Sequence, residues 1–153
     1  MGADLFIESL HNKCYAEWKP QFDEAVKARD LAKGNDKLVE ELRAKIDEAY
    51  NGMYADGYFR DSYNTSSVLW QMNLSWWGDV IPMLDENDLL SVEKCKTLRL
   101  MILGTPILIA DGWTPEWGES REECLAYFQD KRERLIAFLD QAISLNEPIR
   151  CSL

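Results

Sequence analysis

The amino-acid sequence predicts a mostly α fold: a single-domain helical bundle of five or six helices spanning residues 1–153, to which the two termini could add a small β element. Three observations lead to this prediction. Several segments repeat apolar residues at intervals of three and four, the spacing of one helix face. The length of 153 residues is typical of one domain. The apolar share of 46% and the charged share of 29% are those of an ordinary folded chain.

The first two predicted helices form an antiparallel hairpin. Pro20 either ends a short helix near Trp18 or lies in the first turn of a new helix, where its missing N–H costs nothing. The dipeptide Gly34-Asn35 is a turn signal, and Asn51-Gly52 can close the second helix. The residues that repeat at helical spacing are Tyr15, Trp18, Phe22, Ala25, Val26 and Arg29 in the first segment, and Leu38, Val39, Leu42, Ile46, Ala49 and Tyr50 in the second.

The middle of the chain is predicted to contain a loop and one further helix. Glycine and asparagine punctuate residues 51–64, which indicates an ordered loop. A helix is expected to begin at Thr65 or Ser66, because both are favourable N-caps. Its buried face would consist of Val68, Leu69, Met72 and Trp76.

Two more helices and a pair of terminal strands complete the predicted fold. Asn87-Asp88 or Ser91 would cap a helix that Gly104 and Pro106 end, and residues 113–120 form a loop. Ser120 and Glu123 fit a capping box at the start of the last helix. The strand-like stretches DLFIES, residues 4–9, and IRCSL, residues 149–153, could pair with each other.

The net charge of −10 is concentrated in one segment. Residues 51–93 hold seven acidic side chains and only one basic one, Arg60, which gives this segment a net charge of −6. Seven of the 17 aromatic residues also fall within residues 51–80. A single narrow helix face cannot bury Trp70, Trp76 and Trp77 together, so we expect some of these rings to face another element or solvent.

Exposed rings beside carboxylates suit a cationic partner, since ring faces attract ammonium and guanidinium groups and carboxylates add long-range attraction. We therefore predict a binding site in this segment, with Trp77 and either Tyr58 or Tyr63 partly exposed beside Asp61 or Asp79. The candidate binding residues are Tyr58, Arg60, Asp61, Tyr63, Asn64, Trp76, Trp77 and Asp79. An alternative is that the whole ring cluster is core.

Other chemistries have weak sequence support. Asp61 and Asp79 could act as a pair of catalytic carboxylates, but no spacing enforces this. Cys124 falls on an apolar helix face, which favours a buried, inert thiol, and His11 is expected at the surface. The four cysteines have no closely spaced pair, so free thiols are expected, with two disulfides as the rival interpretation. No phosphate-binding glycine motif is present, and we predict neither a cofactor nor a metal site.

The sequence thus predicts a cytoplasmic, non-enzymatic interaction protein. Inhibitor and immunity-type proteins, which cover a basic surface on another protein, are one class with this charge. The expected partner is another protein with a basic surface, because the acidic charge disfavours direct nucleic-acid binding. The N-terminus lacks the basic charge of a signal peptide, and no run of about 18 apolar residues predicts a membrane span. The alternative is a small enzyme or ligand-binding domain whose pocket uses the same aromatic residues. The oligomeric state is left open.

Overall fold

The computed structural model of the chain describes residues 2–109 and 120–153, and within them most of the regular structure is α-helical. The described helices are α1 (Glu8–Leu31), α2 (Asp36–Met53), α3 (Val92–Leu103) and α4 (Arg121–Leu145), with short helical turns at Trp70–Met72, Trp76–Val80 and Ile81–Met83. The strands are β1 (Gly2–Phe6), β2 (Tyr58–Ser62), β3 (Leu89–Leu90) and β4 (Ile149–Ser152). The mostly α prediction is confirmed, whereas the bundle of five or six helices is matched only in part.

The strands form one sheet in the order β2-β1-β4-β3. The predicted pairing of the termini is confirmed, because β1 and β4 are antiparallel with Leu5 opposite Cys151. Burial alternates along these strands, so that Leu5, Ile149 and Cys151 face the core while Asp4 and Arg150 lie on the outer face. The sheet is larger than predicted, since β2 lies within residues 51–64, which the sequence indicated as a loop.

The chain divides into two compact units, Ile7–Tyr58 and the combination of Met1–Phe6 with Phe59–Leu153. The prediction of a single domain stays a prediction. The first of these units, which we call the hairpin unit, contains α1 and α2 joined by a short turn, and Asn35 caps α2 by accepting the Leu38 N–H at 3.2 Å. Two expectations about this unit, those for Pro20 and His11, are wrong. The expected end of α2 at Asn51-Gly52 lies next to its last residue, Met53.

Pro20 lies inside α1 and ends no helix. A proline in a helix interior costs about 3 kcal/mol, so α1 continues through Pro20 at some cost in stability. Gly52 lies in the last turn of α2 and packs directly against the ring of Trp18, since a Cβ at Gly52 would lie 2.3 Å from Trp18 Cδ2. Close packing against this large ring explains why a glycine occupies the position.

His11 is buried and does not lie at the surface as expected. Its ring stacks on Tyr54 with centroids 5.4 Å apart. Gly57 closes over this part of α1 with φ of +65°, and a Cβ there would lie 2.6 Å from the His11 backbone nitrogen. The left-handed backbone and the close approach both require glycine at this position.

The helix predicted to begin at Thr65 or Ser66 does not form. Short helical turns replace it, and Asn73, with a left-handed φ of 56°, ends the turn Trp70–Met72. The predicted inward residues Val68, Leu69, Met72 and Trp76 are nevertheless all buried. The apolar pattern therefore predicted burial correctly, although it did not predict the backbone conformation.

The two C-terminal helices begin as predicted. Ser91 caps α3 by accepting the Lys94 N–H at 3.2 Å, and Ser120 and Glu123 form the capping box of α4. Arg132 on α4 donates to the Ile102 carbonyl at 2.9 Å, which links α4 to the last turn of α3. The loop predicted at residues 113–120 lies outside the described residues except for Ser120. No helix of the described residues is long and apolar enough to cross a membrane.

All four cysteines are free thiols, as predicted, and Cys124 is buried. Cys95 on α3 and Cys151 on β4 are buried as well. Burial raises the pKa of the Cys95 thiol from 9.0 to about 11. Burial, followed by the neighbouring Cys95 and Asp88, raises the pKa of Cys151 to about 12. Both thiols therefore stay protonated in the folded protein at a pH where they ionise in the unfolded chain.

This difference predicts that the buried thiols make the protein less stable in alkali. Unfolded thiols lose their protons near pH 9, while the folded thiols keep theirs to about pH 11 and about pH 12. Their contribution to stability is therefore complete below pH 9 and is lost as the pH rises through this window. We expect the free energy of unfolding, measured by urea denaturation between pH 8 and pH 11, to fall less steeply in a Cys95→Ala/Cys151→Ala variant than in the wild type.

A Cys14→Ala variant is the matched control, because Cys14 is only partly buried and lies on α1. Its pH dependence should follow that of the wild type. Parallel pH profiles for the wild type and the double variant would contradict the account of the thiols.

Candidate functional site

The structure does not bring the eight predicted binding residues together as one described site. Tyr58 belongs to the hairpin unit, whereas Arg60, Asp61, Tyr63, Asn64, Trp76, Trp77 and Asp79 belong to the other unit. In the hairpin unit Tyr58 extends a series of rings, with centroid distances of 4.8 Å to Tyr54 and 6.2 Å to His11. Tyr54 in turn lies 5.0 Å from Tyr50. The described ring contacts of Tyr58 are therefore made within the hairpin unit.

Asp61 is the centre of a buried polar cluster and is only 2% exposed. It lies on β2, where the alternation of the strand turns its side chain inward together with Phe59. Its carboxylate accepts hydrogen bonds from Ser67 Oγ at 2.7 Å and from the Val68 backbone N–H at 3.1 Å. It also accepts a hydrogen bond from Trp76 Nε1 at 2.8 Å. Two segments that follow β2, residues 67–68 and the turn at Trp76, are thus bonded to one carboxylate.

Lys131 completes this cluster from α4, with its Nζ 2.8 Å from Asp61 Oδ1. Both side chains are buried, so the ion pair is removed from water. A buried charge that loses its partner is strongly destabilising. Lys131 was not predicted as part of this site. Its position could have indicated burial, because this lysine lies on the buried stripe of α4 between Phe128 and Leu135. A cation on an apolar stripe indicates a buried carboxylate elsewhere in the chain.

Two of the predicted binding residues, Asp61 and Trp76, are therefore part of the interior. A partner cannot reach either of them without unfolding the cluster. The same burial argues against Asp61 as a catalytic carboxylate paired with Asp79, because its oxygen atoms are occupied by Lys131, Trp76 and Ser67. Their structural role is to hold the segment that carries Trp77.

Trp77 and Tyr63 form a ring pair on the same unit, with centroids 5.5 Å apart and planes tilted by 54°. Trp77 is 58% exposed, while its neighbour Trp76 is buried. Tyr63 is partly exposed. Partial burial, followed by the negative charge of Asp4, raises the pKa of Tyr63. The expectation that Trp77 and Tyr63 are partly exposed agrees with this geometry.

Charged residues from β1 and β2 lie beside this ring pair. Arg60 Nε is 3.7 Å from Asp4 Oδ1, and both side chains are partly exposed. Asp79 accepts the Ser75 backbone N–H at 2.8 Å, and Ser75 Oγ accepts the Gly78 N–H at 3.2 Å. These bonds fix the turn Trp76–Val80 and with it the backbone of Trp77. Asn64 is exposed and orders its own turn by accepting the Ser66 N–H at 2.9 Å.

An acidic turn follows the ring pair in the chain. The turn Ile81–Met83 leads into residues 85–88, where the Asp85 carboxylate accepts the N–H groups of Asn87 at 2.8 Å and Leu89 at 3.0 Å. Asp85, Glu86 and Asp88 are exposed. Asp88 has a left-handed φ of 59°, and its carbonyl accepts the Cys151 N–H at 2.9 Å, which attaches the turn to β4.

A cavity of about 260 Å³ lies at this attachment. Its lining consists of Ile81, Leu84, Asn87, Asp88, Arg150, Cys151, Ser152 and Leu153. Neither Trp77 nor Tyr63 contributes to this lining, so the exposed rings are not the walls of this cavity.

No group of three or more metal-ligating side chains that could hold an ion occurs in residues 2–109 and 120–153. We refer to Tyr63, Trp77 and Asp79 together with the exposed acids Asp85, Glu86 and Asp88 as the aromatic–acidic surface.

Comparisons with protein-family models, curated proteins and solved structures find no match to this chain.

The Asp61 cluster yields a direct stability prediction. Asp61→Asn keeps a hydrogen-bond acceptor but leaves the buried Lys131 without its counter-charge. Breaking a buried ion pair in this way costs about 3–5 kcal/mol. We expect a loss of that size in the free energy of unfolding measured by chemical denaturation.

The control substitution is Asp130→Asn. Asp130 lies next to Lys131 on α4, and its Oδ2 is 2.9 Å from Nε of Arg134 in an exposed ion pair. A surface pair of this kind contributes about 0–1 kcal/mol. Adding Lys131→Met to Asp61→Asn should restore part of the lost stability, since no unpaired charge then remains buried. Equal, small losses for Asp61→Asn and Asp130→Asn would show that the cluster does not hold the fold.

Proposed function

We propose that this protein is a small acidic interaction module that binds a basic surface of another protein through the aromatic–acidic surface. The observation that carries the proposal is the 58% exposure of Trp77. Tryptophan is large and usually well buried, and exposed aromatic residues are enriched at the centres of protein interfaces. The hydrogen bonds of Ser75, Gly78 and Asp79 hold Trp77 in place before a partner arrives. Such preorganisation lowers the entropic cost of binding.

The charge around Trp77 favours a cationic partner. Residues 79–88 contain four acidic side chains, namely Asp79, Asp85, Glu86 and Asp88, and neither lysine nor arginine. Arg60, the one cation of β2, is paired with Asp4. Lys131 is paired with the buried Asp61 and adds no accessible charge. A partner would therefore meet rings edged by carboxylates, an arrangement that attracts lysine and arginine side chains.

This chemistry fits a protein that covers a basic surface, as inhibitor and immunity-type proteins do. The proposed setting is the cytoplasm, and the proposed partner is a protein and not a nucleic acid, because phosphate groups would be repelled by the same carboxylates. The alternative, an enzyme or small-ligand domain with a pocket made of these rings, has less support. Trp77 and Tyr63 pack on each other and do not line the cavity at the acidic turn.

Substitution of adjacent tryptophans separates the surface from the core. Trp76→Ala removes a buried ring and its bond to Asp61, and should cost about 3–5 kcal/mol of stability. Trp77→Ala should change stability by less than about 0.5 kcal/mol, as is usual at exposed positions. Chemical denaturation of both variants measures the difference. A loss of several kcal/mol in Trp77→Ala would place this ring in the core and remove the basis of the proposal.

Photo-crosslinking tests the partner. A photoreactive amino acid at position 77 is activated in extract from the source cells, and the crosslinked peptides are identified by mass spectrometry. The same amino acid at Leu31, which is 83% exposed on α1, is the control. We expect peptides rich in lysine and arginine at position 77 alone, with a yield that falls as salt screens the attraction. Peptides of the same charge at both positions would contradict the proposal.

A further inference from the structure

Two buried cysteines, Cys95 in α3 and Cys151 in β4, are attached to one short stretch of the chain. The Cys95 N–H donates to the Ser91 carbonyl at 2.8 Å. The Cys151 N–H donates to the Asp88 carbonyl at 2.9 Å. Residues 88–91 therefore hold the backbones of both cysteines, although the two residues are far apart in the sequence.

The sulfur atoms of the two cysteines lie on the same pair of opposed strand residues. Leu90 of β3 is opposite Ile149 of β4 in the sheet. The Cys95 thiol donates to the Leu90 carbonyl, with Sγ 3.6 Å from the oxygen. The Cys151 thiol donates to the Ile149 carbonyl, with Sγ 3.8 Å from the oxygen. Each contact places a sulfur atom beside this one pair of residues.

The two thiols are also close enough to interact electrostatically. Burial raises the pKa of Cys151 to about 12, and the next largest cause of the rise is the charge of Cys95, ahead of that of Asp88. A charge shifts the pKa of another group in this way when the two are within about 4–6 Å. No cluster of three or more metal-ligating side chains includes the pair in the described part of the chain. The pair is therefore a dithiol and not part of a described metal site.

A small oxidant can reach this pair from the side of β4. The cavity of about 260 Å³ at the acidic turn has Cys151 among its lining residues, and Cys95 does not line it. A water molecule occupies about 30 Å³ in the liquid, and hydrogen peroxide is larger by one oxygen atom. The cavity therefore has room for hydrogen peroxide, which would meet Cys151 first.

We propose that Cys95 and Cys151 form an oxidative modification site, at which hydrogen peroxide joins the two thiols in a disulfide between α3 and β4. In the first step the Cys151 thiolate attacks one peroxide oxygen. An S–O bond forms, the O–O bond breaks, and the departing hydroxide takes up the thiol proton as water. In the second step the Cys95 thiolate attacks the sulfur of this sulfenic acid, an S–S bond forms, and the S–O bond breaks to release a second water. The two sulfur atoms together give up two electrons, which reduce the peroxide.

The shared attachment of the two cysteines favours this product. A disulfide requires Cα atoms no more than about 7 Å apart, and residues 88–91 hold both backbones. The bond would fix the C-terminal strand β4 to α3, and it would stabilise the fold by restricting the unfolded chain. A dithiol reductant would reverse it. The site is independent of the aromatic–acidic surface, because it requires no partner protein.

Peptide mapping of the folded, full-length chain tests this site. Reduced wild type is incubated with excess hydrogen peroxide, the remaining thiols are alkylated, and a digest made without reductant is analysed by mass spectrometry. We expect one linked pair, the peptides of Cys95 and Cys151, which dithiothreitol separates. The rate of linkage should rise about tenfold per pH unit between about pH 7 and pH 9, because the thiolate is the nucleophile and its fraction rises by that factor below the pKa.

Urea denaturation measures the effect of the linkage on stability. The oxidised wild type should unfold at a higher urea concentration than the reduced wild type, and dithiothreitol should reverse the increase. Cys95→Ala and Cys151→Ala should show neither the linked peptides nor the increase. Cys14→Ala is the matched control and should behave as the wild type, because Cys14 belongs to the hairpin unit. Circular dichroism checks that each variant is folded.

Several outcomes would overturn the proposal. They are a link between other cysteines of the folded chain, oxidation of Cys95 and Cys151 to sulfinic acid without a link, and the absence of any linked peptide. A link between Cys95 and Cys151 that forms only after urea has unfolded the chain would also contradict it. The peptide map of the wild type decides these points even where an alanine variant does not fold.

Discussion

The buried carboxylate of Asp61 is the constraint on which the larger unit depends. It connects β2, the backbone at Val68, the ring of Trp76 and Lys131 of α4. Without this carboxylate Lys131 would be an unpaired charge in the interior, and the irregular segment after β2 would lose its attachment. Because that segment lacks a continuous helix, it depends on side-chain hydrogen bonds for its position. A fixed Trp76 then leaves its neighbour Trp77 facing solvent.

This arrangement separates buried from exposed side chains within a few residues of sequence. Asp61 and Trp76 satisfy each other in the interior, while Asp79 and Ser75 order the turn that presents Trp77. The ring pair is followed in the chain by an acidic turn, and residues 79–88 contain four acidic side chains and neither lysine nor arginine.

Local interactions explain which parts of this fold could be predicted from the sequence. The predictions that depend on neighbouring residues are correct. They are the capping box at Ser120, the cap at Ser91 and the α1–α2 hairpin. The predicted helix after Thr65 is wrong because Asn73 adopts a left-handed conformation and because Asp61 binds the backbone at Val68. The partner of Asp61 is far away in the chain, so spacing could not identify it. In the candidate site, the exposure of Trp77 and Tyr63 and the burial of Trp76 could be predicted from the apolar pattern, but the burial of Asp61 could not.

Hydrogen exchange of the tryptophan indole N–H groups tests the central role of Asp61 most directly. In the folded protein, the Nε1–H of Trp76 should be the most protected of the assigned indole protons, because it is buried and donates to Asp61 at 2.8 Å. The Nε1–H of Trp77 should exchange rapidly, since this ring is exposed. Two-dimensional NMR, with assignment from Trp76→Phe and Trp77→Phe variants, resolves the two signals. Strong and selective protection of Trp76 would agree with the account, and equally rapid exchange of Trp76 and Trp77 would contradict it.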